Sequence, residues 1–163
     1  MIHQIKTKAE IQRVAQLAKE IWTEHFLPII GQKQVDYMLN KFQSPEAIKT
    51  QIQKESYHYF FINDGSNNIG YFAIQKQNEI LFLSKLYVNK EHRGRGFGKA
   101  ALAYIIEFAK EHSLNKIQLT VNKENTTSIK AYKKMGFVVT GKQVTDIGNN
   151  FLMDDYTMEF VVL

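Results

Sequence analysis

Apolar residues early in the chain recur at helical spacing. Ile11, Val14, Ala15, Ala18, Ile21 and Trp22 fall three and four residues apart, which predicts one face of a helix from about Lys8 to Trp22. Thr7 and Glu10 precede it as a Thr-x-x-Glu capping box. Pro28 and Gly31 are read as breaking the pattern. A second helix presents Val35, Met38, Leu39 and Phe42 on one face. Ser44-Pro45 opens a third, with Ser as N-cap, Pro in the first turn, and Ile48 and Ile52 inward.

The period then changes to that of extended chain. Tyr57–Ile62 is rich in aromatic and β-branched residues, Asp64-Gly65-Ser66-Asn67-Asn68 is a turn cluster, and Ile69–Gln75 resumes the strand. Asn78 punctuates before Ile80–Val88, so three strands read as an antiparallel meander. A glycine-rich loop, Arg93-Gly94-Arg95-Gly96-Phe97-Gly98, follows. Behind it Leu102, Ile105, Ile106 and Ala109 mark a helix from Lys99 to about His112. Ile117, Leu119 and Val121 alternate as a strand, and Thr126–Met135 is a short helix closed by Gly136. Val138–Val144 and Tyr156–Val162 are the last strands, with the turn at Gly148-Asn149-Asn150. The order ααα-βββ-α-β-α-ββ is that of a mixed α+β domain without repeats or linkers.

Composition narrows the chemistry. At roughly 100–200 residues per domain, 163 residues make a single domain, 1–163. There is no cysteine, which excludes disulfides, thiolate-bound metal and a thiolate nucleophile. No stretch approaches the ~18 apolar residues of a membrane span, and the first residues carry no signal-peptide run, so no membrane partner and a cytoplasmic location are expected. The net charge of +5 suits an anionic ligand. Specific nucleic-acid recognition is not expected, because the arginines lie in one short loop and no DNA- or RNA-binding signature is present. His3, His58, His92 and His112 are scattered, and no metal site is read.

The strand–glycine loop–helix unit is the strongest chemical feature. Glycines admit close approach of a phosphate, and a helix behind them aims free N–H groups and its positive dipole end at the anion. Arg93, Arg95 and Lys99 add charge. A Walker A loop is excluded: Gly98-Lys99 is followed by Ala100 and Arg93 stands where the first Gly belongs. A dinucleotide fingerprint is excluded by the Gly-x-Gly-x-Gly spacing and by Gln118 near the place of the acid.

Arg93, Gly96 and Gly98 instead fill Gln/Arg-x-x-Gly-x-Gly/Ala, and Asn125, Ser128, Tyr132, Gly136 and Phe137 fill Asn-x-x-Ser/Ala-x-x-x-Tyr-x-x-x-Gly-Phe. With both motifs in register, the chain resembles the GNAT superfamily of N-acetyltransferases. The resemblance implies a largely antiparallel mixed sheet of about six to seven strands flanked by helices. It also implies that the Ile80–Val88 strand splays from Ile117–Val121 at the acetyl-CoA site. Acetyl-CoA is the implied co-substrate, without a metal. The amides of Arg93, Gly94, Arg95, Gly96, Phe97 and Gly98, with Lys99, would cradle its pyrophosphate. Leu86, Tyr87 and Val88 would pair with pantetheine, and the Val88 amide would polarise the thioester carbonyl. Asn125 and Ser128 belong to the pantetheine side, and Tyr132 would protonate the departing thiolate. Lys123, Lys130, Lys133 and Lys134 are candidates for the 3′-phosphate side.

The acceptor is expected to be a small-molecule amine. Ile21-Trp22-Thr23-Glu24-His25-Phe26 and Asp36-Tyr37-Met38-Leu39 resemble the PaiA-type polyamine acetyltransferases, which suggests spermidine or spermine. Carboxylates and aromatic faces suit a polycation, so Trp22, Glu24, His25, Phe26, Asp36 and Tyr37 are candidate acceptor residues. Glu24, His25, Tyr37 and Glu79 are candidate general bases, and none is selected over the others. The alternative acceptors are a protein N-terminus, a lysine or another small amine. A homodimer is expected to use a sheet edge, with Tyr156–Leu163 the candidate strand.

Overall fold

The computed structural model describes residues 1–162. Five helices and seven strands follow in the order β1 (Ile2–Gln4), α1 (Lys8–Ile30), α2 (Gln32–Gln43), α3 (Pro45–Lys54), β2 (Tyr57–Asp64), β3 (Asn67–Gln77), β4 (Ile80–Val88), α4 (Phe97–Glu111), β5 (Lys116–Asn122), α5 (Thr126–Lys134), β6 (Val138–Gly148) and β7 (Phe151–Val161). The strands form one sheet in the order β1-β2-β3-β4-β5-β7-β6, mixed and largely antiparallel, flanked by the helices. β4 pairs with β5 in parallel from Ile80↔Lys116 only to Phe82↔Gln118, the early end expected of a splayed ladder.

By its contacts the chain falls into two compact units. The first is Met1–Gln75 with Lys85–Leu102; the second is Lys76–Ser84 with the chain from Ala103 onward.

Four sequence expectations are corrected. First, α1 does not stop near Trp22 but runs through Pro28 to Ile30. Proline there removes one i→i−4 bond, yet Ile21, Trp22 and Phe26 are buried, and that packing outweighs the local loss. The helix stops at Gly31, at φ 82°. Second, β1 was not read at all, because three residues are too few to show alternation; it pairs with β2 from Ile2↔Ile62 to Gln4↔Phe60. Third, β6 and β7 are longer than read and meet at Asn149 and Asn150, both left-handed, a favoured hairpin conformation. Only Ile147 is buried in β6, so that strand has no inward stripe to recognise. Fourth, Tyr156–Leu163 is not an edge: β7 lies between β5 and β6, β6 is the edge strand, and Leu163 lies outside the described residues.

The helix starts follow their signals. Thr7 Oγ1 accepts from the Glu10 amide, and the Glu10 carboxylate accepts from the Thr7 and Lys6 amides at 2.9 and 3.0 Å. Those amides hold the Glu10 carboxyl down to about 2. Ser44 Oγ caps α3 through the Ala47 amide at 3.2 Å.

A buried polar chain fixes the first unit. Trp22 Nε1 donates to the Tyr71 hydroxyl at 2.8 Å, which donates to Gln43 Oε1 at 2.7 Å. Gln43 Nε2 donates to the Tyr59 hydroxyl at 2.9 Å, which donates to Gln51 Oε1 at 2.5 Å. Gln51 Nε2 ends the chain on the Phe42 carbonyl at 2.8 Å. Every donor therefore finds an acceptor in one direction, from α1 through β3, α2 and β2 to α3. Burial pushes both tyrosine hydroxyls above their ordinary range, so they stay protonated and keep donating. Replacing Gln43 by Leu strands the donor of Tyr71 and removes the donor to Tyr59. We expect a loss of about 1–3 kcal/mol, read as a lower urea midpoint with an unchanged slope.

Candidate active site

In the first unit, the site elements gather around the end of β4. A short 3₁₀ turn, Lys90–His92, leads from β4 into the glycine loop. Gly94 and Gly96 take φ of 75° and 87°, which a side chain disfavours. Gly98 is not left-handed, and nothing lies within 4 Å of where a Cβ would stand at 94, 96 or 98. The outer side of the loop is thus open space. Phe97, Gly98 and Lys99 form the first turn of α4, so their amides have no intrahelical acceptor and point out of the helix end. Lys99 is exposed.

The arginines behave differently from one another. Arg93 Nε donates to the Val88 carbonyl at 2.9 Å, and its terminal nitrogens bind both oxygens of Glu24 at 2.8 and 3.3 Å. Arg95 lies over the Phe97 ring at 5.6 Å and stands 3.8 Å from Asp64. Arg93 is therefore engaged with Val88 and Glu24 at the surface, while Arg95 is held loosely.

Leu86, Tyr87 and Val88 are half-buried at the end of β4. The Tyr87 ring meets Trp22, Phe26 and Tyr71 at centroid distances of 5.7, 5.9 and 5.7 Å. Trp22 and Phe26 are themselves buried, so they act as packing against Tyr87 rather than as open faces. His25 packs edge-on against Phe26 at 4.8 Å. Tyr37 is half-buried on α2 with the Lys41 ammonium over its ring, and Asp36 is exposed and accepts from Gln32 at 2.7 Å. Glu79, which belongs to the second unit, is exposed in the turn ahead of β4.

Two residues of this unit escaped the sequence reading. Gly70 sits inside β3, and a Cβ there would lie 2.4 Å from the Tyr87 carbonyl oxygen. A glycine within a strand is the signal for such a close backbone approach. Lys85 interrupts the apolar run of β4; burial brings its ammonium down to about 8, and it lies over the Tyr57 and Tyr59 rings at 5.7 and 5.9 Å.

In the second unit, Asn125 is buried and caps α5, its Oδ1 accepting from the Ser128 amide at 3.3 Å. Its own amide donates to the Asn122 carbonyl at 2.9 Å. Ser128 lies in the first turn of α5 and is half-buried. Tyr132 packs edge-on against Phe137 at 5.4 Å, and Phe137 meets Phe160 at 5.5 Å. Burial pushes the Tyr132 hydroxyl above its ordinary range, so it carries its proton at neutral pH. Lys123 is bound to Asp154 at 2.8 Å, whereas Lys130, Lys133 and Lys134 are exposed on α5. Among the described residues, no cluster of His, Asp and Glu is arranged to hold a metal, and no helix is long and apolar enough to cross a membrane.

An amide-lined glycine loop at a helix start, beside a strand end, suits the binding of an anionic carrier. The acetyltransferase (GNAT) family matches residues 13–137, and the chain belongs to that family. The protein is thus an acyltransferase, and GNAT acetyltransferases use acetyl-CoA.

The chain is similar to the peptidyl-lysine N-acetyltransferase YjaB of Salmonella typhimurium, 25% identical over 118 residues, 71% of this chain and 75% of that protein. It is 33% identical to streptothricin acetyltransferase of Streptomyces lavendulae over 64 residues, which span 39% of this chain and 34% of that one. Among solved structures, the PaiA N-acetyltransferase of Thermoplasma acidophilum in complex with coenzyme A has a TM-score of 0.82 at 19% identity, covering 99% of both chains. A chimera of spermidine N-acetyltransferase SpeG from Vibrio cholerae and hSSAT has a TM-score of 0.68 at 20% identity, covering 99% of this chain and 96% of that one. At such identities the likeness is one of fold.

Asp155 on β7 is a buried carboxyl outside both motifs. Its Oδ1 has no hydrogen-bond partner, and burial, with Asp154 beside it, raises its pKa from 3.8 to about 6. A carboxyl whose folded pKa is raised binds its proton more tightly when folded. Stability therefore falls as pH rises from 3.8 to about 6 and stays lowered above that. We expect Asp155→Asn to match the wild type in urea midpoint near pH 3.8 and to exceed it at pH 7.

Proposed function

We propose that the protein transfers the acetyl group of acetyl-CoA to a primary amine by direct attack, and that the amine is a polyamine such as spermidine or spermine. The observation that carries the transfer reading is the open glycine loop, left-handed at Gly94 and Gly96, running into the free amides of α4. Those amides would hold the pyrophosphate, with Arg95 and Lys99 supplying charge around them. Arg93 would serve through its backbone, since its guanidinium is engaged. Leu86, Tyr87 and Val88 would pair with pantetheine, and Asn125 and Ser128 would steady its arm.

The neutral amine nitrogen forms a bond to the thioester carbon, and the carbonyl oxygen gains charge that the Val88 amide stabilises. As the tetrahedral species collapses, the carbon–sulfur bond breaks and the thiolate takes the Tyr132 proton. The amine's excess proton leaves to a base or to water.

The polyamine reading is supported by the exposed carboxylate of Asp36 on α2, a group that attracts a polycation, and by the likeness in fold to the spermidine N-acetyltransferase SpeG chimera. Glu24 no longer counts toward that site, because both its oxygens bind Arg93. A second reading, acetylation of a lysine or a protein N-terminus, is favoured by the likeness to YjaB over most of both chains. The reaction is assigned to the cytoplasm, where acetyl-CoA and amines meet and where a chain without cysteine is at home. Nucleic acid and membrane are not assigned as partners. A homodimer is assigned to the free edge strand β6, on which Val138, Val139 and Val144 are exposed.

CoA release measured with a thiol dye across spermidine, spermine, diamines, amino acids and peptides tests the acceptor. Turnover with the polyamines supports the reading, and turnover with peptides alone replaces it by the second. Tyr132→Phe is expected to lower kcat by about 10²–10⁴-fold with little change in KM for acetyl-CoA. An unchanged kcat removes Tyr132 from the mechanism.

A further inference from the structure

Val88 belongs to two peptide planes. One holds the Tyr87 carbonyl and the Val88 N–H; the next holds the Val88 carbonyl and the Asn89 N–H. The Val88 N–H is the donor assigned above to the thioester oxygen, and the inference rests on that reading. Such a donor lowers the barrier only if it is already fixed where charge will develop. A donor that must first rotate into place spends part of its stabilisation on its own ordering.

The first plane is seated against β3 at Gly70. A methyl at that position would stand 2.4 Å from the Tyr87 carbonyl oxygen, 3.1 Å from Val88 Cα and 3.3 Å from Ile62 Cδ1. The nearest two are backbone atoms, so a side chain at position 70 displaces the plane itself. Gly70 is not left-handed, so its own backbone conformation does not demand glycine. It also lies within an eleven-residue strand, where glycine weakens the fold. What remains is the close approach of the Tyr87–Val88 peptide.

The second plane is held at both of its polar atoms. The Asn89 N–H donates to the Ile69 carbonyl at 2.8 Å, and the Val88 carbonyl accepts from Arg93 Nε at 2.9 Å. Glu24 fixes the guanidinium through both of its oxygens, at 2.8 and 3.3 Å. This fork is bidentate and planar, so the direction of Nε is set by where Glu24 stands. Glu24 in turn lies on α1 between Trp22 and Phe26, whose rings contact Tyr87. One stretch of α1 thus holds Tyr87 by its ring and Val88 by its carbonyl.

We propose that Gly70 and Glu24 are positioning residues for the acetyl-transfer step: Gly70 seats the Tyr87–Val88 peptide, and Glu24, through Arg93, holds the Val88 carbonyl, so that the Val88 N–H is aimed at the thioester oxygen. Neither residue touches acetyl-CoA in this assignment. Glu24 thereby has a role separate from the acceptor, although it stands in the segment that resembles acceptor-binding sequence.

The test compares kcat for acetyl-CoA with the dissociation constant for CoA, which has the pyrophosphate and pantetheine but no acetyl carbonyl. Gly70→Ala is expected to lower kcat by about 10–10²-fold, since a shift approaching 1 Å costs that order, with CoA affinity within about twofold of wild type. Glu24→Ala is expected to lower kcat in the same sense, and Glu24→Gln, which keeps one acceptor for Arg93, to recover part of the loss. Wild-type kcat in Gly70→Ala and Glu24→Ala overturns the proposal. So does a fall in CoA affinity that matches the fall in kcat, because the strand end would then serve pantetheine binding alone. Should Gly70→Ala not fold, the half-exposed Glu24 series decides the matter. Val88→Pro, which removes the N–H, separates the proposal from the reading beneath it. If Val88→Pro binds CoA and turns over like wild type, the oxyanion assignment falls and the proposal with it. If it binds CoA without turnover while Gly70→Ala remains fully active, only the positioning proposal falls.

Discussion

The hydrogen-bond chain from Trp22 to the Phe42 carbonyl is the constraint on which the first unit depends. It runs Trp22, Tyr71, Gln43, Tyr59, Gln51, with each hydroxyl and amide both giving and receiving. An apolar core of the same shape would hold α1 near the sheet but would not fix its rotation or its height. The indole N–H has one acceptor at one distance, so α1 has one register against β3. From that register two consequences follow: the rings of Trp22 and Phe26 reach Tyr87, and the Glu24 carboxylate reaches Arg93. Buried polar groups are costly when unpaired, so the chain forms completely or the register is lost. The placement of α1 beside the end of β4 thus starts from a polar network several residues away from it.

The ion pair changes how the glycine loop must bind an anion. From composition, Arg93 looks like charge for a phosphate. In the structure its guanidinium is neutralised by Glu24 and tied to the Val88 carbonyl. In the proposed binding mode, the attraction for a pyrophosphate would then come from the free amides at the start of α4, from the helix dipole, and from Arg95 and Lys99. A helix terminus contributes typically 0.3–1 kcal/mol toward an anion, ~0.5 charge spread over several N–H groups. That is modest, but amides are directional where a lysine is not, and they need no side-chain ordering on binding. Gly94 and Gly96 set those amides in place by adopting left-handed φ, and the space outside them stays clear. The arginine of the motif is then a structural tie, and in the proposed mode the backbone would be the ligand-binding surface.

Much of this was legible from the residues alone, and the failures have physical causes. Helices with one apolar face announced themselves by period, and their caps at Thr7 and Ser44 formed as read. The two motifs placed the loop, Asn125 and Tyr132 on the elements expected of them. Pro28 misled because a local rule was set against burial of Ile21, Trp22 and Phe26, and burial prevailed. β1 was too short for any period, and β6, exposed along nearly its whole length, had none to show. Gln43 and Gln51 were invisible because an amide at a helical position reads as surface until its partners are known; here the partners are tyrosines on two strands. Gly70 was a miss with a readable signal, a glycine in the middle of an aromatic strand.

Direct attack on a thioester needs no covalent intermediate with the protein, so rate must come from placement and from the two proton positions. On the oxyanion side, the Val88 amide proposed as the donor, gripped by its neighbours, would need no reorganisation as charge develops. On the thiolate side, the phenol proposed as the acid is kept protonated by burial and would be loaded with the proton it has to give. Burial raises the acid's pKa, which by itself weakens it as a donor. Under the proposed mechanism, a thiolate released into the same poorly solvated surroundings would become a stronger base as well, so the transfer would stay matched. If Tyr132 is the acid, its burial against Phe137 would tune acid and leaving group together, whereas an exposed acid would face a leaving group of different strength.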